Sequence, residues 1–111
     1  VAEKQKILTL DVDGQPVTIT VARASAKAGI KRYRLMLEER EEPDEDMKYV
    51  RFILYPNLIA GTLSATGIPW PPTVEQVAEL DEALVNEWMA SVYEVNPNWE
   101  PRRRDDAEKN G

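Results

Sequence analysis

The run from Asp81 to Val95, DEALVNEWMASVYEV, constrains the fold more than any other stretch of the chain. On a helical wheel Leu84, Val95, Trp88, Val92, Val85, Met89 and Tyr93 follow one another around about half of the circumference, and Asn86, Glu87, Ala90 and Glu94 take the rest. Such a helix must lie on an apolar surface that the remaining residues supply. Asp81 is placed to cap its first turn, and Asn96-Pro97 to stop it. Trp88, in the middle of the apolar arc, is expected in the core. The acidic residues belong to the opposite, solvated face.

Upstream, KILTLDVDGQPVTITVA reads as a β-hairpin over about residues 7–21. Leu8, Leu10 and Val12 alternate, as do Val17, Ile19 and Val21, with Asp13-Gly14 supplying the turn. DVDG also opens like a calcium loop, but Gln15 and Ala22 stand where that loop needs acidic ligands, so the turn is the stronger reading. Ser25 is placed to cap a helix in which Ile30, Tyr33 and Leu37 fall at helical spacing. Tyr33, Leu35 and Leu37 also alternate well enough for a half-buried strand. Length and the scarcity of β-branched residues favour the helix, which Pro43 ends.

Asp44, Glu45 and Asp46 then open a second helix, whose Met47, Val50, Ile53 and Leu54 are joined by Tyr49, Phe52 and Ile59 almost all round. The helix around Phe52 and Leu54 is therefore expected at the centre of the core, kinked or divided at Pro56, with the Gly61, Ser64 and Gly67 region loosening into a loop. Thr73 caps a short helix after the stiff Trp70-Pro71-Pro72. The reading is mainly α: a small helical domain of about four helices with an N-terminal β-hairpin, occupying residues 1–99. Residues 100–111, with no apolar side chain larger than alanine, are expected to form a disordered polar tail.

Charge and composition remove several functions. The net charge is −6, and residues 73–99 carry six acidic groups and no basic one. Nucleic-acid binding needs a basic stripe, and a helix-turn-helix reading of 74–80 and 82–95 would have a recognition helix with no basic residue at all. No apolar run approaches the ~20 residues of a membrane span, and Val1–Lys6 shows no export signal. With no histidine and no cysteine, the commonest general base, the strongest nucleophile and most transition-metal ligands are missing. Carboxylate pairs such as Glu79 with Glu82, or Glu41 with Glu42, fall on polar helix faces or ends, whereas catalytic pairs need burial or crowding. The expectation is a non-enzyme with no cofactor and no metal, in a cytoplasmic setting. Trp70 and Trp99, held by neighbouring prolines outside regular helix, are the candidate protein-binding residues.

The stretch YVRFILYPNLIAGTLSATGIPWPPTVEQVAELDEALVNEWMASVYEVNPNW carries an LYP-x-LIA helix, a Pro-rich break, a T-x-E-x-x-x-L short helix and an ALV-x-x-W-x-x-x-VY-x-x-NP-x-W helix. Over roughly residues 44–99 these signatures resemble the tail assembly chaperones of long-tailed, siphovirus-like phages and prophages. The hairpin followed by AGIKRYRLMLEE is similar in arrangement. The resemblance implies a small helical protein of the host cytoplasm that coats the tape measure protein and recruits tail tube subunits. Many such proteins also exist in a longer frameshifted form. It implies no catalytic residues. Nucleic acid and membrane are not expected partners, and self-association into a homo-oligomer stays open. The alternative is a generic cytoplasmic protein-binding adaptor or regulatory partner subunit.

Overall fold

The computed structural model describes residues 4–38 and 41–101. Two strands, β1 (Gln5–Val12) and β2 (Gln15–Ala22), pair antiparallel from Gln5 opposite Ala22 to Val12 opposite Gln15. The two-residue turn between them has positive φ at both positions, 51° at Asp13 and 81° at Gly14, as a twist-matched hairpin requires. The Asp11 side chain accepts a hydrogen bond from the Gly14 amide at 2.8 Å and closes the turn. Helix α1 (Ala26–Met36) follows, with the Ser25 hydroxyl accepting from the Ala28 amide at 3.2 Å. The helical reading of residues 30–37 holds for all but the last, which caps the helix.

The next helical rod starts where its acids indicate. Asp44 caps α2 (Glu45–Tyr49), a π-helical segment spans Val50–Leu54, and α3 (Tyr55–Ala60) continues it. Pro56 neither ends nor divides the rod. Its missing donor is accommodated where the upstream turn widens, with the Tyr55 amide donating to the Val50 carbonyl five residues back. Phe52 and Leu54 are half-buried, so the expected centre of the core is not here. Within the π segment the buried residue is Arg51, flanked by Glu42 and Glu75, each 3.5 Å away. The deeply buried part of the rod is its end, Pro56 to Ile59.

The expected loop after Gly61 is instead a third strand, β3 (Thr62–Thr66), antiparallel to β2 in the order β1-β2-β3. This corrects the mainly α reading of a helical domain with an N-terminal hairpin: the hairpin is two thirds of a sheet. Of the described residues 51% are helical and 22% lie in strands, a mixed helix-and-sheet fold. A register shift between Thr20 and Val21 makes Leu63 the extra residue of a bulge in β3. After a Pro-rich passage, Thr73 and Gln76 form a reciprocal capping box on α4 (Val74–Ala78). Asp81 caps α5 (Glu82–Val95), and a 3-10 turn follows at Pro97–Trp99.

Helix α5 lies across one face of the sheet. Leu8, Val17, Ile19 and Val21, alternate residues of β1 and β2, form one buried cluster with Leu84, Val85, Trp88, Val92 and Val95. Trp88 is fully enclosed, and its indole N–H donates to the Thr62 hydroxyl at 2.9 Å, binding α5 to β3. Asn96 fastens the other end. Its amide donates to the Ala22 carbonyl at 2.9 Å and its oxygen accepts from the Ala24 amide at 2.8 Å. No helix among the described residues is long and apolar enough to cross a membrane. The tail expected to be disordered lies, from residue 102 on, outside the described residues.

Gly67 gives a sharp test of how β3 is held. It has φ 85°, and a Cβ there would stand 2.2 Å from the Pro16 carbonyl oxygen, a backbone atom of β2. Gly67→Ala must therefore push β3 off β2 as well as strain the backbone, and should cost about 2 kcal/mol or more in a urea melt. A neutral substitution would mean that this end of β3 is not seated on the sheet.

Candidate functional site

Among the described residues six large hydrophobic side chains are exposed: Ile7, Ile30, Tyr33, Leu37, Tyr49 and Leu63. Three of them form one row on α1 and its cap: Ile30 is 56%, Tyr33 61% and Leu37 59% exposed. No residue of α1 is buried, although the helix is capped and regular. The apolar spacing that reads as a core face in the sequence is thus turned outward.

What turns it is the other side of the helix. Ala28, Gly29, Arg32, Leu35 and Met36 are half-buried. Arg32 is the anchor: its guanidinium sits 4.7 Å from the centre of the Trp99 ring, and its Nε donates to the Asn57 side-chain oxygen in α3. Asn57 in turn donates to the Tyr93 hydroxyl of α5 at 3.1 Å. Burial lowers the Arg32 pKa from its ordinary value, partly offset by Tyr93. Burial raises that of the Tyr93 hydroxyl, with the Tyr49 hydroxyl adding to it and Arg32 opposing it. A charge placed this way is held by a ring face and an amide, both supplied by other elements. With Arg32 fixed inward, the wheel leaves Ile30, Tyr33 and Leu37 outward.

Beside this row runs a groove of about 780 Å³ between α1, the end of α3 and the start of β3. Ile30, Ile59, Ala60 and Leu63 give it an apolar floor, and Lys27, Lys31 and Arg34 form one wall. These three cations pair with no acidic group among the described residues. The lining offers a surface for apolar contact with a one-sided positive field. Among the described residues there is no cluster of three or more acidic groups that could hold a metal ion.

The two tryptophans singled out from the sequence lie elsewhere. Trp99, a candidate protein-binding residue from the sequence, is 8% exposed, beneath Arg32 and against the chain at Gly61. Trp70 is half-buried, its ring centre 6.3 Å from that of Trp88 and tilted by 52°. The Trp70-Pro71 bond is cis, and the Tyr55 hydroxyl donates to the Pro72 carbonyl at 2.8 Å, pinning the same passage to the rod. Both rings are occupied with packing. The apolar row on α1 was visible in the sequence, but not its direction. The one available signal is that Ala26–Met36 contains four basic residues and no acidic one, an unusual density for a helix that buries a broad face. No known family model, curated protein or solved structure matches the chain.

Proposed function

We propose that this protein is a non-enzymatic binding protein of the tail assembly chaperone kind, which holds the tape measure protein and recruits tail tube subunits in the host cytoplasm. Two things support the reading: the motif resemblance over residues 44–99, and the outward apolar row Ile30, Tyr33 and Leu37. The row carries it. A well-capped helix that leaves its largest apolar side chains in water has a face suited to a partner. The net charge of −6, with six acids and no base over residues 73–99, keeps such a chain dispersed. Binding through α1 replaces the sequence-based assignment of Trp70 and Trp99 as anchors.

The test is co-expression with the neighbouring tail genes. The protein should co-purify with the tape measure protein, and the association should survive moderate salt, because apolar contact is screened far less than charge pairing. Replacing Ile30, Tyr33 and Leu37 together by Ser should abolish co-purification while changing stability by less than about 1 kcal/mol, since all three side chains are exposed. No tape measure or tube protein recovered with a well-folded chain would refute the chaperone reading and leave the adaptor.

A further inference from the structure

We infer that the outer face of α1 is an unpartnered coiled-coil seam that takes an amphipathic partner helix with acidic flanks. The inference rests on the binding role proposed above and specifies the partner of the same surface.

The spacing is the first argument. Ile30, Tyr33 and Leu37 stand three and then four residues apart, the step of a heptad seam, and all three are exposed. With Ile30 at position a, Tyr33 is d and Leu37 is the next a. Lys27 and Arg34 then both fall at e, the flanking position that sets partner choice in coiled coils through charge.

The two flanks differ, which sets the geometry. The g positions, Gly29 and Met36, are turned toward the body of the protein and half-buried. The e positions open onto the apolar groove floored by Ile59 and Leu63. A helix laid on the seam would therefore lean over the groove and bring its own flanking residues against Lys27, Lys31 and Arg34. Basic side chains there would be repelled and desolvated, whereas glutamates would meet three cations that pair with no described residue. A concave groove beside a ridge fits a rod better than a planar lipid surface.

The seam is short. Eleven residues of α1 make about three turns, roughly 16 Å of contact. One such site binds weakly on its own.

The experiment uses the full chain and a designed 21-residue peptide with Leu at a and d and Glu at e and g, which repels itself and stays monomeric. Control probes are the same peptide with Lys at e and g, and phosphatidylcholine vesicles containing phosphatidylserine. The Glu peptide should shift the amide resonances of residues 26–37 and of Leu63, and bind about tenfold or more tighter than the Lys peptide, the scale of a few surface charge pairs. The double variant K27E/R34E, which changes only exposed side chains, should reverse that preference. Equal affinity for the two peptides, shifts confined to other elements, or binding of the vesicles in preference to the Glu peptide would overturn the inference. So would self-association of the chain through α1 that the triple Ser variant abolishes, since the seam would then belong to a second copy. If neither peptide binds while the tape measure protein still co-purifies, the seam inference fails and the proposed function stands. If the Glu peptide binds but no tail protein is recovered, the reverse holds.

Discussion

Trp88→Ala should destabilise the protein by about 3–5 kcal/mol, the range for deleting a fully buried large aromatic. Trp88 is the largest of the fully enclosed side chains, and the cluster around it draws on β1, β2, α3 and α5. Removing the indole opens a cavity where α5 meets the β3 edge of the sheet. It also leaves the Thr62 hydroxyl, itself buried, without its 2.9 Å donor. Trp88→Phe separates the two effects: it keeps most of the apolar volume, loses the hydrogen bond, and should cost about 1–3 kcal/mol. Urea melts of both variants, compared at constant m value, are the measurement. A cost below about 1 kcal/mol for the Ala variant would mean that the core is centred elsewhere.

Trp99→Ala should cost about 3 kcal/mol, close to the lower end of the same range, because the ring lies at the rim of the core and not at its middle. Its proline-rich surroundings suggest a cost of under about 1 kcal/mol for a surface ring. The structure places it instead between the body and α1. There it packs against the chain at Gly61 and offers its face to Arg32. Losing it should therefore do more than lower the melting curve. Helix α1 has no fully buried residue, so Arg32 and its two partners are a large share of what fastens it. Amide hydrogen exchange in residues 26–36 should accelerate beyond the change in global stability, which Trp88→Ala should not cause. Unchanged relative protection of α1 in the Trp99 variant would show that the guanidinium–ring contact does not hold the helix.

These two residues mark where the sequence was legible. Helix α5 could be read nearly residue by residue, because its burial follows from its own period: Leu84, Val85, Trp88, Met89, Val92 and Val95 are all buried. Thr73 and Asp81 were legible as caps for the same reason, their partners being three residues away. The hairpin was legible from alternation and Asp-Gly. Strand β3 was not. Thr-Leu-Ser-Ala-Thr has little apolar contrast, and what makes it a strand is the pairing of Thr62–Thr66 with Thr18–Val21, more than forty residues earlier. A free edge on the hairpin is a nonlocal cause that no window on residues 62–66 contains.

The outward turn of α1 was hidden in a similar way. Periodicity finds an apolar face but does not say whether that face meets the core. The decision is made by Arg32, whose Asn57 and Trp99 partners lie in other elements. The rod from Glu45 to Ala60 shows the opposite error. It is apolar nearly all round, yet Phe52 and Leu54 are only half-buried, because the rod joins the core through its end at Leu58 while Leu8, Val17, Ile19 and Val21 of the sheet supply the rest of the surface under α5. Trp70 and Trp99 were picked out as recognition residues on the strength of size and flanking prolines, and both are engaged in packing.

The division of labour between a Trp-centred core and an outward α1 is tested most directly by amide hydrogen exchange on the chain with and without its proposed client, the tape measure protein. Slowed exchange should map to residues 26–37 and to the neighbouring start of β3 at Thr62–Leu63. The exposed acidic side of α5, at Glu87 and Glu94, should exchange as it does in the free protein. Protection confined to α4 and α5, with α1 unaltered on binding, would contradict the account.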